Sequence, residues 1–401
     1  MQTSSRQAYL DWLRIMAILG VLFFHSAMAY VPWEWHIKNK ETSNILMEFT
    51  FWLHRFRMPL LFFISGTVSY FMLQKKSSGS FIGLRFRRLF IPLLVGVFII
   101  VPPQIYMERL TQGFKGNYAD FYPSVFDFKA YPKGNTSWHH LWFIAYLFIY
   151  DVALAPLLKW SMNEQGKRTL SFFNRMAKGK WIYVLIVPNL LIYTFFCQDY
   201  PQTSDLIHDG CFFFYWLFFL LAGFICINFP SLMDSLERNR RFSLGIALFS
   251  LIAVNYVRWN NLEPWDAIPH FRSDWRNYAY LALQVIVGWS WVFTAVGYGK
   301  KYLNKTHRTL NYINQAVYPF YILHQTIMVI LVYYIVQAPD TVGMKYIFTV
   351  ITTFVVSMGI YHLLIRPYPF MRFLFGGKPA DKKPAKKPVE SPVPQSIELA
   401  S

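Results

Sequence analysis

Residues Leu10–Tyr30 read LDWLRIMAILGVLFFHSAMAY. A helix crosses a bilayer with about 20 predominantly apolar residues, and this stretch has that length. Its only charged or imidazole side chains are Asp11, Arg14 and His25. Arg14 and His25 are eleven residues apart, so on a helix they lie about 20° apart around the axis and roughly 16 Å apart along it. Asp11 precedes Arg14 by three residues and shares nearly the same face. One helix therefore presents a polar stripe through most of the membrane. Ionisable groups at that depth are costly unless they face protein or water, which makes each a functional candidate. Satisfaction by neighbouring helices is the structural alternative. The imidazole favours function, because its proton exchanges near neutral pH.

The rest of the 401 residues repeats this pattern. Hydrophobic residues make up 55%, aromatics 20% and charged residues only 15% of the chain, against about 25% charged in soluble proteins. Ten stretches satisfy the spanning criterion. They are Leu10–Tyr30, Ile45–Leu73, Leu89–Tyr106, His140–Leu158, Trp181–Cys197, Cys211–Phe229, Phe242–Val257, Tyr278–Gly299, Val317–Val336 and Tyr346–Ile365. Phe242–Val257 is short, and Ile45–Leu73 carries His54, Arg55 and Arg57. The expected fold is an all-α polytopic bundle.

The net charge of +18 comes from 39 basic and 21 acidic residues. Many of the basic residues fall in alternate connections: Lys75 to Arg88, Lys159 to Lys180, Arg238 to Arg241 and Lys300 to Arg308. The connections between these are poorer, and Gln198–Gly210 has no basic residue. By the positive-inside rule the rich set is cytoplasmic, and so are both termini. This distribution excludes nucleic-acid binding, which needs a basic patch on a polar fold. Residues 1–375 form the membrane domain. The tail 376–401, beginning GGKPADKKPAKKP, has almost nothing to bury and reads as disordered and cytoplasmic. A competing reading takes Ile15–Phe24 and Ala27-Met28-Ala29 as a cleaved signal peptide. Asp11 beside the apolar run and the early second span argue for an uncleaved first helix.

Other candidates lie along the bundle. His54 sits at a similar depth to His25 from the outer boundary, and His139, His140 and Trp142 open the fourth span on the same side. No metal is expected, because there is no HExxH pattern and no matching carboxylate set. Ser65 falls in FFISG (Phe62–Gly66), where small residues allow close helix packing or a polar contact. Arg85 and Arg88 precede the third span and either mark topology or hold phosphate in a planar fork. His324, in YPFYILH (Tyr318–His324), lies about 10 Å from the cytoplasmic end if the ninth span starts at Val317. Cys197 and Cys211 flank an outer loop and read as small buried hydrophobes or as a disulfide.

Together these residues resemble acyltransferase family 3, the multi-spanning acyltransferases of envelope sugars. LDWLRIMAILGVLFFH matches its Arg-x10-His signature with Arg14 and His25. FRMPLLFFISG, Arg85-x-x-Arg88, HHLWFIAYL and YPFYILHQ follow in order. FRMPLLFFISG looks most like the branch that adds succinyl groups to periplasmic glucans. The resemblance implies transfer of an acetyl or succinyl group from cytoplasmic acyl-CoA to a hydroxyl of an extracytoplasmic glycan. It places the key His and Arg on His25 and Arg14, and donor handling on Arg85 and Arg88. Asp11, His54, Ser65, His140, Trp142 and His324 are candidates for substrate contact. No permanently bound cofactor is expected; acyl-CoA, an envelope carbohydrate and the bilayer of a bacterial inner membrane are the partners.

His25 then acts either as general base or as transient acyl acceptor. A proton-coupled transporter or flippase of an envelope precursor is the alternative, since intramembrane His and Arg also suit transport. Such proteins often carry internal repeats, and none is visible in this sequence. A glycosyltransferase would bring a larger outer domain and catalytic carboxylates in a loop.

Overall fold

The computed structural model describes residues 7–377. The expected disordered tail lies almost wholly outside the described residues. Among the described residues the fold is helical, with one isolated β-bridge between Ala130 and Thr136. The long elements are α1 (Ala8–Met28), α2 (Asn44–Gln74), α3 (Ser78–Thr111), α4 (His139–Trp160), α5 (Trp181–Phe196), α6 (Gly210–Asn228), α7 (Pro230–Trp259), α8 (Trp275–Tyr302), α9 (Arg308–Ile335) and α10 (Val342–Ile365). Nine of these ten are long and apolar enough to cross a membrane; α5 is shorter.

The packing of α1 on α9 bears on how α5 counts. Arg14 of α1 bonds Asn314 of α9, and His25 bonds His324. Both pairs ascend together, so α1 and α9 run parallel. The chain must then make an odd number of transits between them, and α2 to α8 are seven only if α5 is one. Counting α5 keeps the helix order consistent with this parallel packing, while nine helices among the described residues are long and apolar enough to span.

Several expected boundaries were too tight. The third span runs Ser78–Thr111 rather than Leu89–Tyr106, and the seventh is 30 residues long. The ninth starts at Arg308, nine residues before Val317. Hydropathy registers only the segment at hydrocarbon depth, whereas local hydrogen bonds continue a helix into its polar ends. In α3, π-helical turns over Phe86–Phe90 and Gly96–Ile100 lie beside Pro92 and Pro102, which lack the N–H for a regular helical bond.

α2 is the central element. Ser43 caps it by accepting from the Leu46 N–H. Pro59 leaves the Arg55 carbonyl without its helical donor, and that carbonyl faces α8 at Gly288, 3.0 Å from where a Cβ would stand. Lower down, α2 crosses α6 with backbones in contact. A Cβ on Gly66 would lie 1.9 Å from the Leu220 carbonyl oxygen, and one on Gly223 would lie 1.8 Å from that of Phe63. Ser65, beside Gly66, donates its hydroxyl to Leu61 O of its own helix at 2.8 Å. Gly223→Ala is expected to force these backbones apart and cost about 3 kcal/mol, the upper part of the usual overpacking range. Thermal unfolding in detergent should show a lowered Tm, and an unchanged Tm would contradict the contact.

The connection after α3 forms a small cap from Tyr118–Phe121, Tyr122–Asp127 and the Ala130–Thr136 bridge. Arg109 ties it down through Asn135 Oδ1 at 3.0 Å and the Pro132 and Gly134 carbonyls at 2.8 and 3.0 Å. The turn after α1 is held by Lys38, whose ammonium donates to the carbonyls of Met28, Val31 and Trp33. Burial lowers the Lys38 pKa, partly opposed by Glu34. Cys197 and Cys211 are buried free thiols beside Leu281, as small hydrophobes.

Candidate active site

Two imidazoles meet where α1 and α9 run side by side. His25 Nδ1 lies 3.0 Å from His324 Nε2, with the rings within 5° of parallel. The partners dictate the protons. His324 Nδ1 lies 2.6 Å from the Tyr321 carbonyl, which only accepts, so this nitrogen carries the hydrogen. In neutral His324, Nε2 is then an acceptor, and His25 Nδ1 must donate to it. His25 is left with a bare Nε2 lone pair, and that atom has no hydrogen-bond partner among the described residues. The His25 ring is only partly buried, whereas His324 is fully buried.

This contact corrects the depth expected for His324. It lies sixteen residues into α9, about 24 Å from the helix start rather than 10 Å. The longer first turns of α9 carry it up to the level of His25.

His140 packs against the pair from α4. Its ring is 5.2 Å from that of His324 and perpendicular to it. His140 Nε2 donates to Ile322 O at 3.1 Å, and its carbonyl accepts the Tyr321 hydroxyl. Behind it, the Gln104 amide donates to Thr326 Oγ1 at 2.6 Å and faces His140 Nδ1 at 3.5 Å. His54 approaches from α2: its ring stacks on Phe24 at 5.7 Å and accepts from Arg57 Nη1 at 3.1 Å. The Arg57 guanidinium lies 3.3 Å from the centre of the Phe24 ring, next in sequence to His25. Arg57 is buried and has no carboxylate within ion-pair distance among the described residues. Its position in the apolar FRMPLL run (Phe56–Leu61) was the available sequence signal.

The arginines at the other end are not equivalent. Arg14 bonds Asn314 Oδ1 at 2.6 Å and faces Asp11 at 3.6 Å. Arg85 is 5% exposed and forms an ion pair with fully buried Asp151 at 2.7 Å. Ser69 closes the triangle, accepting from Arg85 at 2.8 Å and donating to Asp151 at 2.7 Å. Asp151 was overlooked in the sequence, although a carboxylate inside FIAYLFIYDVAL (Phe143–Leu154) is itself a flag. Arg88 is half-buried and Arg87 exposed. An open depression of about 300 Å³ lies near them, lined by Lys76, Ser80, Gly83, Leu84 and Arg87. Trp142 joins Phe62, Tyr146 and Trp216 in the aromatic core between α2, α4 and α6.

The site therefore joins a lone-pair nitrogen, oriented by a second imidazole, to a nearby buried cation. That combination can abstract a proton and stabilise developing negative charge.

The family model described as an acyltransferase domain (Acyl_transf_3) matches residues 7–362. Two proteins named Glucans biosynthesis protein C, from Escherichia coli strain K12 and from E. coli O81 strain ED1a, are each 24% identical to the chain. Each alignment covers 96% of this chain and 99% of the relative. No solved structure matches the chain significantly.

Proposed function

Because the chain belongs to acyltransferase family 3 and is a multi-pass membrane O-acyltransferase, we propose that it acylates a hydroxyl of an extracytoplasmic glucan from cytoplasmic acyl-CoA, with His25 as general base. The observation that carries this reading is the bare Nε2 of His25, oriented by His324 and the Tyr321 carbonyl. Nε2 takes the proton of the sugar hydroxyl while that oxygen bonds to the thioester carbonyl carbon. Arg57 faces the developing oxyanion. The adduct collapses, the C–S bond breaks, and the sulfur leaves with the proton returned from Nε2. Throughout, the His25 Nδ1–H to His324 bond holds the ring, as an acceptor on the far nitrogen does in hydrolytic triads. The alternative role, direct acyl transfer to Nε2, would leave an acyl-protein that can be trapped without acceptor.

Positive-inside charge supports a cytoplasmic side for both termini and for the Arg14, Arg85 and Arg88 end, in a bacterial inner membrane. Glucan as acceptor rests on the names of the relatives. Arg57 and Ser69 are twelve residues apart on α2, so roughly 18 Å of bundle separates the Arg85 cluster from the His25 level. The donor's acyl arm would cross that distance. Its phosphates would meet Arg88, with Arg87 and Lys76 nearby, because the Arg85 charge is already matched by Asp151.

The reading is tested with purified protein in detergent, given acyl-CoA and glucan with no ion gradient. Ester formation with release of free thiol is expected, and its absence would favour the transporter alternative. Arg88→Ala should raise KM for acyl-CoA by about tenfold, roughly 1.4 kcal/mol, with kcat within about twofold, because a phosphate contact is made equally in ground and transition states. An unchanged KM would remove Arg88 from the donor site.

A further inference from the structure

A second cluster lies beside the catalytic pair, built from three separate elements. His36 comes from the turn after α1, Glu108 from the end of α3 and His139 from the first turn of α4. One ligand atom from each lies within 4.8 Å of the others. We propose that His36, Glu108 and His139 bind one divalent transition-metal ion of the zinc class. These residues are 72 and 31 positions apart in sequence, so no short motif announces them.

Two of the three side chains are oriented for the role. His139 Nδ1 bonds the Ser137 hydroxyl at 2.8 Å, which leaves Nε2 as its ligating atom. That Nε2 is buried with no hydrogen-bond partner among the described residues. Glu108 Oε1 accepts from the Tyr131 hydroxyl at 2.7 Å and from Gln112 at 3.1 Å, leaving Oε2 to face His36 Nδ1 at 2.5 Å. Ligands fixed through their far atoms are the usual outer arrangement of metal sites. Burial and the Glu108 bond push the Tyr131 pKa above its ordinary value, keeping its hydroxyl a donor.

Two imidazoles and one carboxylate suit zinc and leave a fourth position for water or a hydroxyl. With bonds of about 2.0–2.1 Å, tetrahedral ligands stand about 3.3 Å apart. The cluster therefore closes with side-chain movements of about an ångström. The cation would stand between His36 Nδ1 and Glu108 Oε2 in place of their hydrogen bond. The His36 ring also meets the Gln325 amide at 3.4 Å, and that amide bonds Gln104 Oε1 at 3.2 Å. Gln325 follows His324 directly, so a bound ion would brace α9 at the catalytic level. The site stands independently of the acyl-transfer reading.

The test uses full-length protein purified without a polyhistidine tag, stripped with chelator and titrated with Co²⁺ in detergent. The wild-type protein should take up one ion per chain, with the intense visible bands of a four-coordinate site. Glu108→Gln and His139→Ala should each lower Co²⁺ affinity by more than about 100-fold, and Ser137→Ala by about tenfold as an outer-shell change. His208→Ala, which removes an exposed imidazole paired with Asp205, should bind like wild type. No equimolar uptake by the wild type, a six-coordinate spectrum, or undiminished uptake by folded Glu108→Gln and His139→Ala would each overturn the site. The wild-type titration decides the matter even if a variant fails to fold.

Discussion

His25→Ala should lower acyl transfer by about 10²–10⁴-fold, the usual contribution of a positioned general base. The loss should fall on kcat, because the proton is moved in the transition state and not in the bound complex. His324 is a positioning residue, and its variants separate orientation from simple packing. His324→Ala removes the acceptor for the His25 Nδ1–H and frees the ring to rotate or change tautomer, so a loss of about 10²-fold in kcat is expected. His324→Gln retains a carbonyl oxygen for His25 and an N–H for Tyr321, and should recover much of that loss. Rates from single turnovers with saturating donor would measure this. A His25→Ala enzyme with full transfer would end both the general-base and acyl-acceptor roles. Equal activity in the alanine and glutamine variants of His324 would end the orientation argument.

The second large effect concerns stability. Asp151→Ala leaves the Arg85 guanidinium buried without its carboxylate, and the expected cost is about 3–5 kcal/mol. Most of the folded protein should be lost, as seen in detergent thermal melts and in yield. The double variant Arg85→Met with Asp151→Leu removes both charges and should recover most of the loss, because a buried ion pair contributes little beyond a packed apolar pair. The same pair of variants decides what Arg85 does. Recovery of stability together with an unchanged KM for acyl-CoA would make it a structural residue. Recovery with a raised KM would give it a donor contact in addition. A double variant as unstable as the single one would show that the pairing is not the source of the effect.

The polar stripe on α1 was legible because helical geometry alone relates Arg14 to His25. Its partners were not, since Asn314 and His324 lie some 300 residues away. Their register depends on α9 beginning at Arg308, in polar turns that hydropathy does not register. Arg85 and Arg88 looked alike as neighbours in a basic run. Packing separated them, because only Arg85 meets Asp151 and Ser69.

The amino-acid sequence alone determined the all-helical membrane architecture and the polar stripe on α1. Each follows from local quantities: the apolar length of a segment, the charge of a connection and the spacing of residues on one helix. Only the tertiary structure decided that His25 pairs with His324, and that His36, Glu108 and His139 gather at one end. The bilayer imposes the first group on each helix separately. The second group depends on close contact between helices distant in sequence, where glycine crossings and paired polar groups set the register.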